Sequence, residues 1–125
     1  MSNPSLFSCF ILLFALACQT VAPPHPYGLI DPMQAKEVLE VADVTVIDVR
    51  TPKEVAAGKI DGATNYNIFD DDFNAKIEKL DTSGTYLVYC RRGSRSANAA
   101  KIMRSFGFTK VYDLEGGFEN WISKE

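Results

Sequence analysis

Tyr86-Leu87-Val88-Tyr89-Cys90-Arg91-Arg92-Gly93-Ser94-Arg95 is the stretch that decides the reading of this chain. The apolar run Tyr86–Tyr89 has the composition of a buried strand. It ends in a cysteine, a short basic loop with one glycine follows, and an Ala-rich helical stretch then begins. That order sets a thiol at the mouth of a ring of backbone N–H groups, at a helix N-terminus, among three guanidinium groups. Each of these favours negative charge. The thiol is therefore expected to ionise readily, and the thiolate is the reactive form of cysteine. The pattern points to cysteine chemistry on an anionic substrate. Cys90 is the reacting group, and Arg91, Arg92, Gly93, Ser94 and Arg95 form the loop that receives the anion. Arg95 closes the loop and is the leading anion-binding residue. A helix N-terminus repels cations, so a cation there needs an anionic partner, either substrate or carboxylate.

Outward from this stretch, short strands alternate with helices. Leu29-Ile30 reads as a strand, and Asp31-Pro32 as a cap followed by proline at the first position of a helix running through Leu39. Val44–Val49 is β-branched and mostly apolar, a buried strand. Thr51-Pro52 repeats the cap-then-proline signature, with a stop near Gly58. Ala63–Ile68 is a weak strand. A helix over Asp71–Leu80 places Phe73, Ile77 and Leu80 at core spacing. Ser96–Phe106 is a helix with Ala97, Ala100, Ile102 and Met103 near the core. Val111-Tyr112 and Gly117–Ile122 are the last strand and helix. Alternation of this kind predicts an α/β domain, a central parallel sheet flanked by helices on both faces. In such sheets ligands bind beyond the carboxyl ends of the strands, which is where Cys90 falls.

Composition bounds the function. The chain has 125 residues, with 13 Lys+Arg against 16 Asp+Glu and a net charge of −3. One small domain with one core fits that length. The acidic balance argues against nucleic acid as a partner, while the local basic loop suits a small anion. No metal site is expected, since the single histidine, His25, stands in a linker and the cysteines lack ligand spacing.

The first eighteen residues carry no Asp, Glu, Lys or Arg. The run Phe10–Leu16 has signal-peptide length and is too short to span a bilayer comfortably. Ala15-Leu16-Ala17-Cys18 resembles the lipobox of bacterial lipoproteins. The resemblance implies a signal peptide over residues 1–17, cleavage before Cys18 and lipid on that thiol. The domain would then sit in a bacterial cell envelope, lipid-anchored on the periplasmic side. An ordinary cleaved signal, or an uncleaved anchor with Cys18 incidental, is the alternative. Residues 18–28, with Pro23, Pro24 and Pro26, read as an extended tether, and 29–125 as the domain.

Three segments of that domain resemble the single-domain rhodanese-like sulfurtransferases. They are Val46–Glu54 continuing through Gly58–Asn65, then Val88–Ser96, then Gly107-Phe108 with Val111, Leu114-Glu115-Gly116-Gly117-Phe118 and Trp121. The resemblance implies a rhodanese-like domain in which Cys90 carries sulfane sulfur as a persulfide. The donor is thiosulfate or a similar anion, the acceptor is cyanide or a thiol, and no cofactor takes part. A persulfide carrier that docks on a partner protein is the second reading. A phosphatase or arsenate reductase is the third. Cys90 and Arg95 bracket four residues, one fewer than in the related oxyanion-binding loops. The nearest acids, Asp113, Glu115 and Glu119, do not occupy a general-acid motif position. Asp48 and Arg50 read as structural support. Asp48 is placed to orient the loop or pair with an arginine, and Arg50 is spaced for an ion pair with Glu54. Gly116 and Gly117 are expected to set a turn, and Trp121 to pack in the core.

Overall fold

The computed structural model describes Ser2, Pro4 and residues 21–125. Cys9, Cys18 and the expected signal-peptide run lie outside the described residues. Among those described, no helix is long and apolar enough to cross a membrane.

Ten elements alternate along the chain: β1 (Gly28–Ile30), α1 (Pro32–Val41), β2 (Val44–Asp48), α2 (Pro52–Ala56), β3 (Thr64–Asn65), α3 (Phe73–Glu78), β4 (Thr85–Tyr89), α4 (Ser94–Ser105), β5 (Val111–Leu114) and α5 (Gly117–Ile122). The strands form one parallel sheet in the order β1-β5-β4-β2-β3. β4 is central, and Cys90 follows its last residue. The strand side chains alternate between two cores. Ile47, Val49, Tyr86, Val88, Cys90 and Val111 pack with Phe73 and Ile77 of α3 and Ala99, Ala100 and Met103 of α4. Ile30, Val46, Leu87, Tyr89, Tyr112 and Leu114 pack with Ala35 and Val38 of α1 and Trp121 of α5. The expected architecture is the one observed.

Local chemistry explains the helix starts. Asp31 and Thr51 each accept a bond from the third helical amide. Gln34 and Glu54 bond back to the cap amides, completing two capping boxes with proline just inside. The differences from the sequence reading are also local. β3 stops at Asn65 instead of Ile68, because the Asn67 side chain accepts from Phe69 N at 3.1 Å and turns the chain away. α4 begins two residues early, at Ser94, because Gly93 takes the left-handed conformation (φ 117°) and starts the helix there. That phase leaves Ala97 exposed and gives its core position to Ala99. β5 runs on to Leu114, carrying Asp113 into the sheet opposite Val88 and Leu29. The ordered sheet also begins one residue earlier than the domain start expected at Leu29. Gly28 is already in β1, Tyr27 packs on Tyr112 with ring centroids 5.0 Å apart, and Tyr112 Oη donates to His25 O at 2.9 Å.

Two tertiary cross-links fix the end of the sheet where Cys90 stands. The first joins α2 to α4. Glu54 accepts from both terminal nitrogens of Arg95, at 2.7 Å each, while also closing the Thr51 capping box. The Arg95 bonds lead in holding the Glu54 carboxyl well below its ordinary value of 4.5, down to about 2. The expected Arg50–Glu54 ion pair is not formed, since Arg50 is claimed by Asp48 and Glu54 by Arg95. The second cross-link joins α5 to the loop after Cys90. Phe118 N donates to Cys90 O at 2.8 Å, and Glu119 N to Arg91 O at 3.1 Å. The approach is close enough to require glycine at 117, where a Cβ would lie 2.5 Å from Cys90 O.

Two stability predictions follow from these cross-links. Glu54 is depressed in the folded state, so its contribution is present above its unfolded value near 4.5 and is lost as pH falls toward 2. Glu54→Gln should cost ~1–2 kcal/mol in urea unfolding at pH 7, allowing for solvent at this half-buried pair. The gap to wild type should close as pH falls through that window. Gly117→Ala should destabilise by ~2 kcal/mol more than Gly62→Ala. Both glycines have positive φ, 61° and 79°, but a Cβ at Gly62 meets nothing within 4 Å. The difference in their unfolding midpoints therefore reads the close approach alone.

Candidate active site

The Cys90 sulfur lies at the floor of a loop built by residues 91–95, and the residue is 1% exposed. Gly93 N points at Sγ from 3.0 Å, and Ser96 Oγ lies 3.5 Å from it on the first turn of α4. Burial pushes the thiol up. The Ser96 hydroxyl and the amides of Ser96, Gly93 and Arg92 together outweigh that, and the net result is a thiol below its ordinary value. Backbone dipoles and one hydroxyl therefore favour the thiolate over the thiol. Of the two hydrogen bonds, the Gly93 amide makes the shorter, and it can point inward because of the positive φ at that glycine.

The arginines are arranged differently from a ring of free cations. Arg95 is held by Glu54 through both terminal nitrogens. Arg91 Nε and Arg92 Nε share one carboxylate, Glu119, at 2.9 and 3.1 Å, on the exposed rim. The two rim guanidiniums outnumber their single partner by one positive charge, so the mouth stays cationic. Ser94 is exposed at the entrance to α4.

Beneath the loop, Asp48 and Arg50 form a buried pair, 0% and 3% exposed. Asp48 Oδ1 accepts from Arg50 N and Nε at 3.0 Å each. Its Oδ2 accepts from Arg50 Nη2 at 2.7 Å and from Tyr89 Oη at 2.6 Å. Tyr89 Oη in turn accepts from Ile60 N, and Arg50 Nη2 also donates to Gly58 O. The guanidinium lies 4.5 Å from the Phe118 ring centroid. Asn65 donates to the carbonyls of Asp48 and Arg50 at 2.9 and 2.8 Å, holding the end of β2. None of these groups is hydrogen-bonded to the Cys90 sulfur, and Arg50 shares a cleft with Arg91 and Phe118.

Two clefts flank the loop. One, of about 310 Å³, is lined by Arg50, Glu54, Ala57, Arg91, Phe118 and Glu119. The other, of about 250 Å³, is lined by Ile68, Phe69, Ser94, Arg95 and Asn98. Phe69 is 68% exposed and lies 5.7 Å from the Arg95 guanidinium. Among the described residues no group of three or more His, Cys, Asp or Glu is placed to hold a metal ion.

Sequence reasoning placed Cys90 and its loop together, and the structure brings them together. It did not place Ser96 or Phe69 at the site, and it gave Glu54 to the wrong arginine. Ser96, six residues after Cys90, carried a usable signal: a hydroxyl on the first turn of a helix that opens toward a thiol. Glu54 carried one too, in the unmet charge of Arg95. Phe69 carried none, since its place depends on how the chain turns in space.

Comparison with known proteins agrees with the geometry. The model of the rhodanese-like domain matches residues 31–124. The thiosulfate sulfurtransferase GlpE of Pseudomonas entomophila is 39% identical over 97 residues, covering 75% of this chain and 84% of that one. A rhodanese-related protein from Thermoplasma volcanium superposes with a TM-score of 0.69 at 32% identity, covering 78% of this chain and 93% of that one. The rhodanese-like domain of an Anabaena protein superposes with a TM-score of 0.69 at 28% identity, covering 80% of this chain and 75% of that one. The family model spans most of the chain and the parallel sheet superposes on solved rhodanese-like structures: the chain belongs to the rhodanese-like domain family.

Proposed function

We propose that this rhodanese-like enzyme moves sulfane sulfur from thiosulfate, or a similar anionic donor, to a thiophilic acceptor through a persulfide on Cys90. The observation that carries the reading is the placement of the buried Cys90 sulfur at the end of the central strand, with Gly93 N at 3.0 Å and Ser96 Oγ at 3.5 Å from Sγ. The Cys90 thiolate attacks the outer sulfur of thiosulfate. A Cys–S bond to that sulfur forms, the sulfur–sulfur bond of the donor breaks, and sulfite leaves with the electron pair. The persulfide then carries one negative charge on its outer sulfur. Cyanide or a thiolate attacks that sulfur, the Cys90–sulfur bond breaks, and Cys90 returns as thiolate. Neither step moves a proton in its charged form, which suits a site whose carboxylates are engaged as ion-pair partners or buried.

The amides of the loop stabilise the anion through both steps. Arg91 and Arg92 supply the excess positive charge at the mouth. A persulfide carrier that docks on a partner protein is the second reading, and exposed Phe69 beside the smaller cleft favours it. An envelope location with lipid on Cys18 completes the proposal. Its support is the uncharged apolar run before Ala17-Cys18.

Intact-mass measurement after incubation with thiosulfate should show the gain of one sulfur atom, reversed by cyanide or a thiol and absent in Cys90→Ala. Wild-type protein that stays at its original mass with every small donor, yet loads from a protein persulfide, would favour the carrier reading. Glu119 competes with an anionic donor for Arg91 and Arg92. Glu119→Gln should therefore lower the KM for thiosulfate roughly twofold to fivefold at low salt, with kcat little changed. The effect should fade as salt is raised.

A further inference from the structure

The larger of the two clefts beside the loop has hydrogen-bonding capacity that the sulfur-transfer steps leave unused. It has a volume of about 310 Å³ and is lined by Arg50, Glu54, Ala57, Arg91, Phe118 and Glu119. Arg50 is 3% exposed, and its side-chain bonds run from Nε and Nη2 to Asp48 and from Nη2 to Gly58 O. Nη1 carries two more N–H groups and has no hydrogen-bond partner among the described residues. A guanidinium taken out of water with donors unmet is costly. Among the described residues, the only sealed side-chain polar atom without a partner is Asp113 Oδ1. Nη1 also lacks one, so it is not sealed: it opens to the cleft that Arg50 lines. Arg91 engages only Nε, with Glu119, and neither of its terminal nitrogens has a partner among the described residues.

The carboxylates of the cleft are already engaged. Glu54 accepts from Arg95 Nη1 and Nη2, from Thr51 N and from Thr51 Oγ1. Glu119 accepts from Arg91 and Arg92. Four guanidiniums, of Arg50, Arg91, Arg92 and Arg95, thus face three carboxylates, of Asp48, Glu54 and Glu119, an excess of one positive charge. Open donors and a surplus of positive charge select an anion, and guanidinium N–H groups match the planar carboxylate. The Phe118 ring, centred 4.5 Å from the Arg50 guanidinium carbon, gives the cleft an apolar wall. The cleft is also joined to the reacting thiol. Arg91 follows Cys90 directly, and Phe118 N donates to Cys90 O at 2.8 Å.

We propose that this cleft is a carboxylate-binding subsite, held by Arg50 Nη1 and the Arg91 guanidinium, and that the sulfur acceptor it selects is a small thiol bearing a carboxylate. The proposal rests on the reading of Cys90 as a persulfide carrier of sulfur. The carboxylate of the acceptor meets the two guanidiniums, its apolar chain lies along Phe118, and its thiol is directed to the loop. That thiol loses its proton to water. Its sulfur then attacks the outer sulfur of the Cys90 persulfide. A sulfur–sulfur bond forms on the acceptor, the Cys90–sulfur bond breaks, and Cys90 keeps the electron pair as thiolate. The acceptor leaves as a persulfide. The excess positive charge offsets the approach of one anion to another. Arg50 thus serves two ends with separate nitrogens. Nε and Nη2 match the buried charge of Asp48, and Nη1 reads the acceptor. Cyanide and neutral thiols gain nothing from the cleft.

The test compares 3-mercaptopropionate with its methyl ester as acceptors for persulfide-loaded protein, at equal thiolate concentration. Wild type should prefer the free acid roughly tenfold in kcat/KM, mainly through KM, as charge-assisted hydrogen bonds imply. Ala57→Asp sets a negative charge on the exposed wall of the cleft and should bring the preference within about twofold of unity. Ala56→Asp places the same charge on the same helix, exposed and outside the cleft lining, and should keep the preference within about twofold of wild type. Arg50→Lys keeps a cation for Asp48 but loses Nη1, and should behave as Ala57→Asp does; if it fails to fold, Ala57→Asp still decides. Titration of resting protein with propionate, followed by amide NMR, should give saturable shifts at Ala57, Phe118 and Glu119. These need no sulfur on Cys90, so a failure to load from thiosulfate would remove the donor reading and leave this result standing. An ester used as well as the acid, a preference that survives Ala57→Asp, equal losses in Ala56→Asp and Ala57→Asp, or propionate shifts that are absent or confined to residues 92–95 would each overturn the proposal.

Discussion

Asp48 is completely buried and charged, and the site end of the molecule is organised around matching that charge. A carboxylate removed from water must have every strong acceptor position met. Here Arg50 supplies its backbone amide and its guanidinium, and Tyr89 supplies its hydroxyl. Because Tyr89 is the last residue of β4, this match ties the end of β2 to the strand that delivers Cys90. Because Arg50 also bonds Gly58 O and lies against Phe118, the same charge reaches the segment after α2 and the start of α5. Removing one partner would leave the other charge uncompensated, a loss of ~3–5 kcal/mol for buried pairs. The group makes no hydrogen bond to the Cys90 sulfur, and it joins the ends of the two strands beside the loop.

The loop itself is held from outside rather than by its own contacts. α5 donates amides to the carbonyls of Cys90 and Arg91, and glycine at 117 permits the approach. α2 reaches across to Arg95 through Glu54. With its carbonyls engaged outward, the Gly93 amide is free to point inward at the sulfur. Side-chain cations would be screened by water at the rim. Backbone dipoles in a buried site are fixed and less screened, so they act on the thiolate without rearrangement. The arginines contribute a smaller, outer effect, biased by Glu119.

The site also shows where stability is given up. Asp113 and Cys90 are both ionisable groups under α4, in positions where apolar side chains would pack without polar cost. A buried acid with an unpartnered oxygen lowers stability relative to an apolar side chain of similar size.

The sequence alone determined the architecture and the place of the Cys90 thiol in it. Alternation of apolar β-branched runs with capped amphipathic stretches leaves few options besides a parallel sheet covered on both faces. A cysteine directly after an apolar strand then lies at that strand's carboxyl end. The two capping boxes were legible for the same reason, because their bonds close within three residues. What only the tertiary structure decided was the pairing of charges. Arg50 with Glu54 was the reasonable local choice. The fold instead brings Asp48 within reach of Arg50, sends Glu54 to Arg95 across 41 positions, and sets Glu119 between Arg91 and Arg92. Such partners are chosen by the position of α2 and α5 relative to the loop, and by which carboxylate is too deeply buried to remain unmatched. Neither the phase of a helix that starts two residues early nor the face onto which Asp113 is carried is written in local spacing. Both follow from packing against the sheet, where a change of one position exchanges inside for outside.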